Sequence, residues 1–279
     1  AAAARCVVVA PLGEDVALGG LSVVDDRVVW VSGEEGTIAL STDGAKSFQL
    51  RTPPEFATRD FRDIEGFDDR RALALAVGAP ARILLTTDGG TSWRPVYRNE
   101  RPESFLDGFD FWDDRRGIAF GDPLDGRFLV LTTSDGGASW TELPVADRPA
   151  AFPGEAAFAA SGTSIRVFPG GRVAFGTGGT RARLWISEDY GAHWQSRPAP
   201  LRQGVESAGV FSIAGGGIGG TGEWLAVGGD YRADKERREV AFATRDRGLT
   251  WTAIVPPPAG FRSAVEALPA ALGGGWITT

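Results

Sequence analysis

The sequence predicts an all-β fold, a β-propeller built from four-stranded blades. Three observations carry this expectation. A short motif recurs five times at nearly even spacing, and each copy follows two short apolar runs of strand length. The composition is that of short strands and tight turns, with 39 Gly, 17 Pro and 9 Trp in 279 residues and a hydrophobic fraction of 43%.

The motif reads S/T-x-D-x-G-x-S/T-W. Its copies are Ser41–Phe48, Thr86–Trp93, Thr133–Trp140, Ser187–Trp194 and Thr244–Trp251. Their aspartates are 45, 47, 54 and 57 residues apart. Blades of four short strands repeat at roughly 40–50 residues. Each residue type has a mechanical reading. The carboxylates of Asp43, Asp88, Asp135, Asp189 and Asp246 accept from nearby turn amides. The glycine takes a backbone geometry that a Cβ opposes. Trp93, Trp140, Trp194 and Trp251 supply large apolar plugs. The motif is therefore a hairpin staple rather than a catalytic site.

The strands follow in order. Inner strands are expected at Leu21–Val24, Phe61–Phe67, Leu106–Phe111, Ala156–Ala160, Ala208–Ile213 and Ala264–Leu268. Second strands fall at Val28–Gly33, Ala74–Gly78, Gly117–Gly121, Arg172–Gly176 and Trp224–Gly229. Third strands fall at Thr37–Leu40, Ile83–Thr86, Phe128–Thr132, Arg183–Ile186 and Val240–Ala243. A short outer strand follows each motif and runs into prolines such as Pro53-Pro54, Pro144, Pro198 and Pro256–Pro258, which blunt edge pairing. Five blades are complete. A sixth begins at Arg262–Leu268 and reaches Trp276–Thr279 without its motif. The expected organisation is a lead segment at 1–17 and a single, C-terminally truncated propeller at 18–279, from a natural protein of six or seven blades. Cys6–Ala10 is the candidate ring-closing strand.

Composition bounds function. A net charge of −7 opposes nucleic acid as a main partner. No run of about 18 apolar residues offers a membrane span. Cys6 is the one cysteine, which excludes an internal disulfide and a cysteine zinc site. Ala1–Ala4 has the small-residue character of the end of a secretory signal, pointing to a periplasmic or secreted protein. Cys6 is a candidate lipid-attachment site, although Ala4-Arg5 before it is a poor lipobox.

The motif resembles the Asp-box, or bacterial neuraminidase repeat. It is shared by sialidases, by Asp-box glucanases and sortilin-like receptors, and by photosystem II stability/assembly-factor-like propellers. The chain is most similar to bacterial members of the last group. The resembling stretches are Gly20–Asp25, Asp60–Ile64, Gly121–Pro123, Gly154-Glu155, Phe158–Thr163, Thr177–Gly179 and Val227–Tyr231. The resemblance implies a non-enzymatic scaffold or binding protein outside the cytoplasm and names no partner.

Propeller register gathers polar residues at one face. Arg62, Asp63, Asp107, Glu155, Glu206 and Arg262 lie where inner strands begin. Asp122, Arg181, Asp230, Tyr231 and Arg232 lie in the connections between second and third strands. One reading is a site for a protein or a glycan. The other is a hydrated channel mouth whose charges pair to hold blades together. A glycoside hydrolase using the same face is the enzymatic alternative. It would draw on Asp63, Asp107, Glu155 or Asp122 as a carboxylate pair, or on Tyr231 as a sialidase-like nucleophile beside Glu206. The Phe/Tyr-Arg-Ile-Pro motif of sialidases is absent.

No cofactor or metal site is expected. Gly215–Gly222 contains a formal G-x-G-x-x-G, but a strand follows where a dinucleotide site needs a helix. His193 takes a Ser/Thr position of a repeat and lacks a nucleophile signature nearby. Asp107, Asp110, Asp113 and Asp114 lack EF-hand spacing. Arg232–Glu239 reads as a solvated loop tip.

Overall fold

The computed structural model describes residues 16–215, 222–268 and 274–279. The lead segment through Asp15, with Cys6–Ala10, and most of the Gly215–Gly222 run lie outside the described residues. The chain divides into two compact units. One takes the chain to Leu106 together with Asp114–Arg116 and Thr133–Trp140. The other comprises Asp107–Asp113, Gly117–Thr132 and Thr141–Thr279.

In each four-stranded sheet the strands lie side by side in chain order. The first sheet is β1 (Leu18–Val23), β2 (Val29–Gly33), β3 (Ile38–Ser41) and β4 (Gln49–Leu50). The second is β5 (Phe61–Gly66), β6 (Ala72–Ala76), β7 (Ala81–Thr86) and β8 (Arg94–Asn99). The third is β9 (Leu106–Phe111), β10 (Gly117–Leu124), β11 (Arg127–Thr133) and β12 (Thr141–Glu142). Two short strands then intervene, β13 (Glu155–Ala156) and β16 (Gly178–Gly179). The fourth sheet is β14 (Ile165–Phe168), β15 (Arg172–Gly176), β17 (Arg183–Ser187) and β18 (Gln195–Pro198). The fifth is β19 (Val205–Gly215), β20 (Trp224–Asp230), β21 (Ala241–Thr244) and β22 (Thr252–Ala253), widened by β16 and β13 beside β19. A last hairpin pairs β23 (Val265–Ala267) with β24 (Trp276–Thr278). Each repeat turn joins the third and fourth strands of its sheet, as the sequence predicts.

The fourth inner strand corrects the sequence reading. It is Ile165–Phe168, not Ala156–Ala160. Ile165 pairs with Phe175 and Phe168 with Arg172, around a turn in which Gly170 and Gly171 take φ of 83° and 82°. Glu155 and Ala156 instead pair with Gly179 and Gly178 in the next sheet. The reason is capture of the Glu155 carboxylate by Arg183 and its neighbours.

Within each unit, apolar packing lies between neighbouring sheets. In the first unit Trp30, Ile38 and Leu40 of the first sheet pack on Phe61, Ile64 and Leu84 of the second. Trp30 and Trp93 meet edge to face at 6.2 Å. In the second unit Phe120 and Phe128 of the third sheet pack on Phe175 of the fourth. Phe168 stacks on Trp224 at 4.3 Å. Burying such rings contributes roughly 1.5–3 kcal/mol each.

Polar links accompany this packing along the inner strands. Ser22 Oγ on β1 accepts the Gly66 N–H of β5 at 3.0 Å. Asp110 Oδ2 on β9 accepts the Val167 N–H of β14 at 2.8 Å. Ser212 Oγ on β19 accepts the Val265 N–H of β23 at 2.9 Å. Each ties the backbone of one sheet to a side chain of the preceding one.

The five repeat turns share one network. In Thr86–Trp93, Asp88 Oδ1 accepts from Thr86 Oγ1 (2.9 Å) and from the Ser92 N–H (2.9 Å), while Oδ2 accepts from Ser92 Oγ (2.6 Å). Asp43, Asp135 and Asp246 repeat it. Hydrogen bonds from the flanking hydroxyl and amide pull the carboxyls of Asp43, Asp88 and Asp246 down to about 2. The turns also press on the preceding sheet. Trp93 Nε1 donates to Arg51 O at 2.9 Å and Trp251 Nε1 to Pro198 O at 3.1 Å. Gly137 has φ of +80°, and a Cβ there would stand 2.3 Å from Leu73 Cδ1.

Candidate functional site

The residues expected at one face fall in both units. In the first unit, Arg62 on β5 reaches Glu34 Oε1 at 3.3 Å and Asp60 Oδ2 at 3.4 Å. The pairing slips by one residue between Phe61 and Asp63, a bulge at Arg62. Asp63 is buried, and its Oδ1 accepts the Ile64 N–H at 2.8 Å. Both residues are spent on local structure.

In the second unit, Asp107 on β9 and Asp122 on β10 come close enough for their charges to interact. Asp107 is 1% exposed, and neither carboxyl oxygen has a hydrogen-bond partner among the described residues. Burial, reinforced by the charge of Asp122, raises its carboxyl well above the ordinary range. Burial also raises Asp122, opposed by the Ala157 N–H that donates to its Oδ1 at 3.0 Å.

Glu155 does not mark the start of an inner strand. Its side chain is sealed from solvent and bonded on every side. Arg183 Nε donates to Oε1 at 2.8 Å and Arg183 Nη2 to Oε2 at 2.5 Å. Thr177 Oγ1 donates to Oε1 at 2.6 Å, and the Phe152 N–H to Oε2 at 2.9 Å. The Arg183 guanidinium lies 4.6 Å from the ring centres of both Phe152 and Trp185. This is a structural clamp with no acceptor left for chemistry. Arg183 carried no motif that would have announced it. Arg181 beside it is exposed, 5.6 Å from the Phe152 ring.

The remaining candidates converge. Asp230 ends β20 and caps the 3-10 turn Tyr231–Ala233, accepting the Arg232 N–H at 2.9 Å. Burial works to raise its carboxyl, but hydrogen bonds from Ser207 and Arg232 outweigh it and hold the group below the usual range. Arg232 Nη1 meets Glu206 Oε1 at 2.5 Å on the surface. Tyr231 is 46% exposed. It stands edge-on to Phe211 at 6.2 Å and to Phe261 at 6.4 Å. Phe211 in turn stacks on Phe158 at 3.9 Å. Arg262 follows Phe261, and its N–H donates to Gly228 O at 3.0 Å. The result is an aromatic platform with Glu206, Arg232 and Arg262 around it. The sequence placed Tyr231 and its charges in the set but missed the supporting Phe158, Phe211 and Phe261, whose meeting brings strand β19 together with two separate loops.

Among the described residues no group of three His, Cys, Asp or Glu side chains could hold a metal ion. No helix among them is long and apolar enough to cross a membrane.

No family model matches the chain, and no curated protein matches it. Solved structures do. An ancestral GH74 enzyme superposes with a TM-score of 0.65 at 16% identity, covering 96% of this chain and 35% of its own. The nidogen/laminin complex gives 0.50 at 11% identity, covering 81% of this chain and 75% of the other. YCF48 bound to D1 peptide gives 0.44 at 17% identity, covering 90% and 86%. The chain thus spans about a third of the length of the GH74 enzyme. Together with the succession of four-stranded antiparallel sheets, the likeness shows the fold, and the fold is a β-propeller.

Proposed function

We propose that this chain is a non-catalytic binding propeller of the Asp-box type. It engages a protein or glycan through Tyr231 and the charged groups around it, Glu206, Arg232 and Arg262. One observation carries this reading. Among the candidate carboxylates of the second unit, those within reach of solvent already have partners, Asp122 accepting the Ala157 N–H at 3.0 Å. Glu206 is paired with Arg232, and Asp230 caps a turn. Glu155 is clamped, and Asp107 is sealed from solvent. A two-carboxylate mechanism needs a proton donor and a partner beside bound substrate. A recognition surface needs an exposed, rigidly held aromatic ring with polar neighbours, and Tyr231 on its capped turn fits that need. The loop after it, Ala233 to Arg237, lines an open surface depression. A periplasmic or secreted location accords with the resemblance to exported Asp-box propellers.

A glycoside hydrolase is the second reading, favoured by Asp107 alone. A buried carboxyl whose pKa is raised by burial and by a second carboxyl has the character of a general acid. The same preparation tests both readings. Glycan and peptide arrays should give selective binding that falls at least tenfold in Tyr231→Ala, with aryl glycosides and sialosides left intact. Turnover of any such glycoside that disappears in Asp107→Asn would overturn the binding reading and establish the enzymatic one.

A further inference from the structure

Arg82 and Arg98 of the first unit share the outer hairpin of the second sheet, and Arg59, just before β5, lies near enough for its charge to act on Arg82. Arg82 on β7 stands directly opposite Arg98 on β8 in the antiparallel register. Directly opposed side chains share a face about 5 Å apart, where like charges repel. Arg59 is the third. Its Nη1 and Nη2 donate to the carbonyls of Val77 (3.4 Å) and Ala79 (3.2 Å), which fixes its head. The Arg82 guanidinium lies 5.5 Å from the Phe56 ring centre. Its Nε is buried and has no acceptor among the described residues. Burial, and then the charges of Arg98 and Arg59, press Arg82 below the ordinary arginine range.

Compensation is incomplete. Among the described residues the one carboxylate paired with any of the three is Glu100, bonded to Arg98 Nε. Three guanidinium groups against one carboxylate leave a surplus of two positive charges. Two of the three face each other across a strand pair, and the buried Nε–H of Arg82 has no acceptor among the described residues. That arrangement is costly alone and favourable around an anion.

We infer that Arg59, Arg82 and Arg98 bind a doubly charged tetrahedral oxyanion, of the phosphate or sulfate type. Planar guanidinium forks match two oxygens of such a group at once. A dianion cancels the surplus, whereas a carboxylate would cancel half of it. The site, with Arg82 and Arg98 on outer strands and Arg59 in the segment before β5, uses none of the residues of the proposed binding surface, so either can fail without the other.

The test is calorimetric titration of the full chain at pH 7 and low ionic strength. The probes are inorganic sulfate, inorganic phosphate and glucose 6-phosphate, with sodium chloride at matched ionic strength as the control. Saturable one-to-one binding of the dianions is expected. It should weaken at least tenfold in Arg98→Gln and in Arg82→Gln, with amide shifts confined to residues near 79–82 and 97–99. Tighter binding of the ester than of the inorganic ions means that the group is presented on a larger molecule. Equal binding means the free ion. Arg98 is an exposed strand position, so its variant keeps the test valid if Arg82→Gln does not fold. No saturable binding, or binding unchanged in Arg98→Gln, overturns the inference.

Discussion

His193 Nδ1 lies 2.6 Å from Asp189 Oδ2, in the place that the other four repeat turns give to a hydroxyl. The imidazole has taken over the role of the Ser or Thr side chain, and the Asp189 carboxylate now bonds to a group that titrates. The hydrogen bond that the imidazole donates to Asp189, and then the charge of Asp189, raise the imidazole above its usual 6.5.

His193 is the only histidine, so its titration can be followed by NMR without assignment. It should titrate above 6.5 and return toward that value in Asp189→Asn. Because the folded pKa is the higher one, the contribution of this contact is fully present below the unfolded value. It is lost as pH rises through the folded value. An unchanged midpoint in Asp189→Asn would show that the contact is absent in solution.

Glycine substitutions separate backbone strain from packing. Gly170 has φ of +83°, and a Cβ there would meet nothing within 4 Å, so Gly170→Ala should cost only the left-handed penalty, about 1–2 kcal/mol. Gly137→Ala adds a clash with Leu73 in a buried turn, worth about 1–3 kcal/mol more. Urea denaturation of the two variants gives the difference. Equal losses would mean that the turn does not press on the sheet beside it.

The Glu155–Arg183 clamp should behave as a buried pair. Glu155→Gln leaves the Arg183 charge uncompensated, at a cost of about 3–5 kcal/mol. The double variant Glu155→Gln/Arg183→Gln should lose less than the sum of the single ones. Additive losses in a double-mutant cycle would place the two groups apart.

Asp107 makes stability fall with pH. The folded chain holds its proton and the unfolded chain releases it near the ordinary carboxylate value. Stability therefore declines from about pH 4 up to the folded pKa, by about 1.4 kcal/mol per pH unit from this group. Asp107→Asn mimics the protonated acid and should flatten that slope. Parallel profiles for the two proteins would show that Asp107 is ionised and solvated.

Much of this fold is legible in sequence because its signals are local. The Asp88 network joins residues two and four apart, so the motif spells out its own geometry. Second strands such as Trp224–Asp230 announce themselves as apolar runs ending in turn residues. The exception is instructive. Ala156–Ala160 has the composition of a strand, but Glu155 is held by Arg183, 28 residues away, and its pairing partner is the two-residue strand Gly178–Gly179. Neither signal can be read from a window. The candidate site divides in the same way. Tyr231 was accessible to sequence reasoning through its position in a loop, while the Phe158–Phe211–Phe261 support and the Arg82–Arg98 opposition follow from tertiary register.

The inner-strand links have a consequence for how the molecule breathes. The amides of Gly66, Val167 and Val265 are each guarded by a side chain of the sheet before. Such an amide exchanges with deuterium when two neighbours part, even while its own ladder holds. These three protons are therefore built-in reporters of opening between those three pairs of sheets, distinct from the unravelling of any one sheet, and the links make the persistence of three sheets depend on the one before.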